Sequence, residues 1–415
     1  MWINQEKRTA FVEIFKLGGK NMLLSLSLIF PVGMFLGWLC KKLHLPSLLG
    51  MLLTGIILGP YVLNLIDSSL LTISADIRKI ALIIILTRAG LSLNIDDLKK
   101  VGRPAILMCF VPACFELMGT IILAPKILNI SILDAAILGS VIAAVSPAVI
   151  VPKMVKLMEE GYGTKKGIPQ LILAGASVDD VFVIVMFSAF TGLATGNKVD
   201  IMEFVKIPVS IITGIIIGLF VGYCFGIYFK KFHVRDTVKI ILLLSISFLL
   251  VTAEDKFSDM IPFSSLISIM CIGIMIHQKR KEQSVRLSTK FNKLWVGAEV
   301  LLFVFVGATV DTGYIKSAGL MSVLLIFGVL LFRMAGVFVC LIKTKLNKKE
   351  RLFCMIAYTP KATVQAAIGG IPLAMGLSCG NIVLTVAVIS ILLTAPLGAF
   401  IIENTYKRLL EKNNE

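Results

Sequence analysis

The chain has 415 residues, 57% of them hydrophobic and only 16% charged, with a formal charge of +16. These proportions exclude two or three soluble domains and describe an all-α polytopic membrane protein. A spanning helix takes about 20 apolar residues, so about a dozen spans use up the chain and leave no room for a soluble nucleotide-binding or regulatory domain.

Taken in chain order, apolar runs punctuated by Gly, Pro and charge predict thirteen spans, at roughly 20–40, 46–63, 74–95, 101–124, 132–157, 167–193, 201–229, 236–253, 261–277, 293–310, 315–342, 351–375 and 380–403. The first run is too long for a signal-peptide core and ends at Lys41-Lys42 with no small-residue cleavage site, so it is expected to stay in the mature protein. Thirteen spans put the termini on opposite sides. Of the 41 Lys and Arg, 27 fall in the loops after spans 1, 3, 5, 7, 9 and 11 and at the C-terminus. The other side holds 11, counting Arg78 and Lys79 at the start of span 3, and Arg88, Arg333 and Lys361 lie inside spans. The positive-inside rule therefore makes the C-terminus cytoplasmic and the N-terminus external. The positive charge is a topology signal rather than a sign of nucleic acid, whose binders gather Lys and Arg on a soluble face. Eight cysteines without a C-x-x-C, and His44, His233 and His277 at segment ends, indicate neither a disulfide framework nor a zinc or catalytic metal site.

A charge near the centre of a span costs about 2.5–3.5 kcal/mol and usually faces a cavity or a partner. Arg88 lies in span 3, Glu116 in span 4, Asp179 and Asp180 in span 6, Arg333 in span 11 and Lys361 in span 12. Three acids and three bases permit mutual pairing. Asp179 and Asp180 sit mid-span in Ala176-Ser-Val-Asp-Asp-Val181. Consecutive helical residues point about 100° apart, so one carboxylate can line an aqueous cavity while its neighbour faces a partner helix.

Span 5 contains Ser146-Pro-Ala-Val-Ile-Val-Pro152, whose Pro147 and Pro152 each remove a backbone donor. Span 12 contains Tyr358-Thr-Pro-Lys-Ala-Thr-Val-Gln365, with Pro360 and Lys361 at the corresponding place. Freed backbone groups survive at membrane depth only where protein or a water-filled cavity satisfies them. Spans 5 and 12 are an odd number apart and so run in opposite directions. Two interrupted helices so placed predict a secondary transporter with inverted repeats, spans 1–6 and 8–13, and a site between the breaks. Asp179 and Asp180, on the next helix, are placed to reach it.

Ser146-Pro-Ala-Val-Ile-Val-Pro152, the Asp-Asp of span 6, Arg333-Met-Ala-Gly-Val337 and Pro360-Lys-Ala-Thr-Val-Gln-Ala-Ala367 resemble the monovalent cation:proton antiporter superfamily, in particular its NHA branch of sodium/proton exchangers. Thr87-Arg-Ala-Gly-Leu91 and Glu116 extend the resemblance over 85–370. It implies two crossed, partly unwound helices and a homodimer in the cell membrane. Residues 1–100 and 196–310 would form a scaffold, and 101–195 and 311–415 a moving core, the last with a short cytoplasmic tail. Asp180 would be the principal Na+ or Li+ ligand, with Asp179, Ser146 and Thr363 beside it. Arg333, Glu116, Lys361 and Arg88 would form core or coupling ion pairs, Arg333 facing either Glu116 or Asp179. No cofactor is implied, and the partners are Na+ or Li+, H+ and membrane lipids. A K+/H+ antiporter and a sodium-coupled organic-solute symporter of related fold are the alternative functions. The mid-span carboxylates favour proton exchange over the symporter.

Overall fold

The computed structural model describes residues 21–43, 45–93, 102–195, 201–232, 234–257 and 262–413. His44, His233 and the basic residues at 7–20, 99–100 and 198 lie outside these described residues. The described residues are mainly helical, because every backbone polar group within a bilayer must be satisfied inside its own segment.

The first part holds α1 (Met22–Lys42), α2 (Ser47–Leu58), the short α3 (Ser68–Thr72) and α4 (Ser74–Ser92). Asn21 starts α1 by accepting from the Leu23 and Leu24 amides at 3.0 and 3.4 Å, which satisfies two of the helix's orphan donors. Next come α5 (Arg103–Met108), α6 (Val111–Leu128), α7 (Ile132–Ile142), α8 (Pro147–Glu159) and α9 (Ile168–Thr195). The chain continues through α10 (Ile201–Lys231), α11 (Asp236–Phe257), α12 (Ser265–Lys279) and α13 (Lys281–Ala308). It ends with α14 (Thr312–Cys340), α15 (Lys348–Ala357), α16 (Thr363–Ile368), α17 (Ile371–Ala374) and α18 (Gly380–Leu409).

Among the described residues, nine stretches are long and apolar enough to cross a membrane, and three shorter apolar helices, at 47–58, 265–279 and 363–374, accompany them. The described residues of each expected segment lie mainly in helix. Span 4 is divided where the sequence suggested continuity: Phe110, at φ −146° and ψ −32°, separates α5 from α6, whose first turn carries Pro112. Of the two prolines in span 5, only Pro147 marks the break. It occupies the first turn of α8, where its missing donor costs nothing, and the helix continues through Pro152. The interruption thus precedes Pro147, at residues 143–146. In span 12 the chain leaves helix at 358–362 around Pro360 and again at Gly369–Gly370.

The helices form two groups. In one, α2 packs on α1 and α13, α4 on α12 and α13, and α10 on α12. In the other, α6 packs on α14 and α7, α9 on α5, α7 and α8, and α18 on α14 and α15. The thinner seam between them is made by α9 with α10 and α12, and by α16 with α4 and α13. Glycines set the closest approach in the first group: Gly55 of α2 faces the Val304 carbonyl and Gly307 of α13 faces the Leu52 carbonyl. A Cβ at either would collide with the other helix's backbone. In the second group an apolar cluster including Met108, Val145, Ile150, Ile172, Phe353 and Tyr358 closes around the two breaks.

Candidate functional site

Helix α7 ends one turn before Pro147 and leaves three carbonyls without helical donors. Side chains from two other elements take them. Gln365 Nε2 of α16 donates to Ala144 O at 2.9 Å and Ile142 O at 3.4 Å, and Arg333 Nη1 of α14 donates to Ala143 O. Opposite them, Ser146 N donates to Pro360 O at 2.8 Å, so the two interrupted helices meet at their breaks. Arg333 Nε donates to Tyr358 O at 2.6 Å, and Lys361 N donates to Thr394 Oγ1 of α18 at 2.9 Å. These bonds satisfy backbone donors and acceptors at both breaks from within the protein, as irregular chain at membrane depth requires.

The same side chains assemble a buried ionic cluster. Arg333 Nη1 lies 2.9 Å from Glu116 Oε2 of α6, and its Nη2 lies 2.9 Å from Asp179 Oδ2 of α9. Asp179 Oδ2 also accepts from Val145 N at 2.8 Å. Lys361 Nζ sits 2.7 Å from Glu116 Oε1 and 2.8 Å from Oε2. Glu116, Asp179, Arg333 and Lys361 are all fully buried. The choice left open for Arg333 is resolved: it bridges Glu116 and Asp179 together. Its guanidinium rests 5.1 Å from the centre of the Tyr358 ring, whose hydroxyl donates to Met108 O at 3.0 Å.

The neighbouring Asp180 is partly buried and turned away from this cluster, as the helical angle between consecutive residues requires. Among the described residues no hydrogen-bond partner reaches Asp180 Oδ1, Asp179 Oδ1, Ser146 Oγ, Thr363 Oγ1 or Gln365 Oε1, all of them buried atoms. These oxygens belong to α9 and to the two segments that meet at the breaks. They are the hard donors that suit a small alkali cation.

Arg88 is not part of the cluster. It lies on α4, where its electrostatic partner is Glu299 of α13. Glu299 falls inside the tenth apolar run and escaped the sequence reading, although the rule that flagged Glu116 applies equally to it. Arg78, counted among the external charges, is only 4% exposed within α4. The intramembrane charges therefore do not reduce to three acids and three bases. His277 is a packing residue whose Nδ1 lies 2.9 Å from Leu91 O, and all eight cysteines are free thiols. Tyr358, Thr394 and the backbone at 143–145 were not foreseen as parts of the site, because nothing local in the sequence marks a carbonyl that another helix will use.

Two discontinuous helices that meet at their breaks, with a sealed acid–base cluster and a further carboxylate beside it, are the architecture of a secondary transporter. Residues 28–407 match the family model described as sodium/hydrogen exchanger, transmembrane. The chain is 33% identical over 387 residues to the Homo sapiens sodium/hydrogen exchanger 9B2, covering 89% of this chain and 70% of that one. It is 30% identical over 372 residues to the Homo sapiens sodium/hydrogen exchanger 9B1, covering 86% and 71%. The sodium proton antiporter MjNhaP1 from Methanocaldococcus jannaschii superposes with a TM-score of 0.82 at 20% identity, over 94% of this chain and 98% of that one. This chain belongs to the sodium/hydrogen exchanger family: it is a multi-span membrane protein and a cation/proton antiporter, not an enzyme.

Proposed function

We propose that the exchanged cation is Na+ or Li+ and that Asp180 carries it, alternating with a proton, across the cell membrane. The supporting observation is the charge balance at the breaks. Arg333 and Lys361 are matched by Glu116 and Asp179, each in direct contact with an opposite charge. Asp180 is the further acid at this place, and its Oδ1 has no partner among the described residues. A carboxylate held away from water with no fixed counter-charge is stable when it carries a proton or a cation and costly when it carries neither. That is the property an exchanger needs, because it forbids return of the empty site. Ser146, Thr363 and Asp179 Oδ1 supply further oxygens for the dehydrated ion.

On this reading the group containing α5–α9 and α14–α18 is a core that moves against the other group, which anchors a homodimer. Thirteen crossings with an external N-terminus and a cytoplasmic C-terminus follow from the charge asymmetry. No cofactor is required. The test is reconstitution into liposomes with an imposed pH gradient, followed by addition of Na+, Li+ or K+. Asp180→Asn should abolish the ion-driven change of internal pH by more than 100-fold while the protein still inserts and melts as the parent does. Near-normal exchange by that variant overturns the assignment. A response to K+ alone replaces Na+ by K+ as the cargo.

A further inference from the structure

Arg78, in the second turn of α4, is 4% exposed. Its Nε donates to Ser74 O at 3.2 Å, its Nη1 has no hydrogen-bond partner, and among the described residues no carboxylate pairs with it. A buried guanidinium stays charged, and a charge removed from water without a counter-charge is strongly unfavourable. The side chain lines a cavity of about 310 Å³ together with Thr72, Ser74, Thr309, Gly370 and Leu373. The three hydroxyls already donate to backbone carbonyls, Thr72 to Ser68, Ser74 to Leu71 and Thr309 to Val306. Among the described residues no other charged side chain lines the cavity. Its electrostatic character is therefore set by Arg78.

The position of the cavity matters as much as its charge. Thr72, Ser74, Arg78 and Thr309 belong to the group of α1–α4 and α10–α13, whereas Gly370 and Leu373 belong to α16–α17 of the other group. The guanidinium packs directly on Gly370, where an added Cβ would meet Nη1. The cavity straddles the seam between the two groups.

We infer that this seam cavity binds one small monovalent anion, with Arg78 as its counter-charge. A single negative charge neutralises the guanidinium, and a dianion would leave charge behind. The same chemistry is offered by a free anion such as chloride and by the phosphodiester of an acidic lipid. Because both groups line the site, a bound anion stabilises the arrangement seen here and holds the core in place, since a ligand favours the state that binds it. This regulatory consequence rests on the exchange mechanism proposed above; the binding itself does not.

The test is thermal melting of the purified protein in uncharged detergent at fixed pH, with choline chloride replacing choline gluconate at constant ionic strength. The parent should gain about 2–4 °C, saturably, as a ligand specific for the folded state requires. Arg78→Met should melt higher than the parent without chloride and show no chloride response. Phosphatidylglycerol against phosphatidylcholine in the micelle forms a second arm, and a shift in that arm alone assigns the anion to lipid. Gly370→Ala, whose methyl displaces the guanidinium, should also lose the response, and it serves if Arg78→Met does not fold. A parent that responds in neither arm, or variants that respond as the parent does, overturn the proposal. Asp180→Asn should keep the response, so failure of the exchange reading is seen separately. In liposomes external chloride should slow exchange severalfold in the parent and not in Arg78→Met; equal rates overturn the regulatory part.

Discussion

Arg333 owes its place to geometry rather than charge alone. One planar fork reaches Tyr358 O, Ala143 O, Glu116 and Asp179. A lysine offers one nitrogen and cannot span those acceptors. Arg333→Lys is expected to cost about 3–5 kcal/mol, the range for breaking a buried pair, and to slow exchange at least tenfold. Melting and liposome transport measure both, and an unchanged melt removes the bridging role. The adjacent aspartates should part company in the same assays: Asp179→Asn strips Arg333 of a partner and lowers stability, whereas Asp180→Asn leaves the melt intact and stops transport. On the proposed reading, in which Arg333 keeps its charge and Lys361 stays with Glu116, only Asp180 changes occupant during the cycle. Exchange should therefore be one cation per proton, and a potential clamped with valinomycin and K+ should not alter its rate. The sequence marked the charged residues of this site, because a charge in an apolar run is visible without knowing its partner, but not the Tyr358 and Ala143 carbonyls that Arg333 also reaches.

The breaks are the elements on which this cluster hangs, and their positions follow from where a missing donor is harmless. Pro147 starts a helix and Pro152 is absorbed within one, so proline spacing alone could not tell which interrupts the chain. At the start of span 12, α15 is fixed by a capping box in which Asn347 Oδ1 accepts from Glu350 N at 2.9 Å and Glu350 Oε2 from Asn347 N at 2.8 Å. Lys166, in the turn between α8 and α9, adds a 2.8 Å contact to Glu350 Oε1. That hydrogen bond raises the lysine's pKa above its ordinary value. Its stabilisation is complete below the unfolded-state value of about 10.4 and is lost as pH rises through the higher folded value. Lys166→Met should therefore lower the melting temperature by a constant amount between pH 6 and 9, with the gap closing only in strong alkali. A gap that closes near neutrality contradicts the assignment. Gly55→Ala and Gly307→Ala, which force a methyl into facing backbone, should each cost about 1–3 kcal/mol; denaturation of the detergent-solubilised protein checks this.

At the scale of the molecule, two helix groups with a thin seam suit motion of one against the other. A short thiol cross-linker joining Ser74→Cys to Leu373→Cys across the seam cavity, in a background without the eight free thiols, should abolish exchange. Reductive cleavage of the linker should restore it. Transport that continues while the seam is cross-linked excludes relative movement of the two groups there.

The sequence by itself determined the membrane class, the helical segments, the sidedness expected from Lys and Arg, and the residues whose charge or ring closure is out of place in apolar surroundings. All of these depend on hydropathy and covalent chemistry along a few tens of residues. Only the tertiary structure decided who meets whom. Arg333 is 217 residues from Glu116 and 154 from Asp179, and Arg88 has Glu299 of α13 as its electrostatic neighbour. Pairing at such separations is set by how helices pack and by which freed carbonyls need a donor, and neither leaves a local mark in the chain.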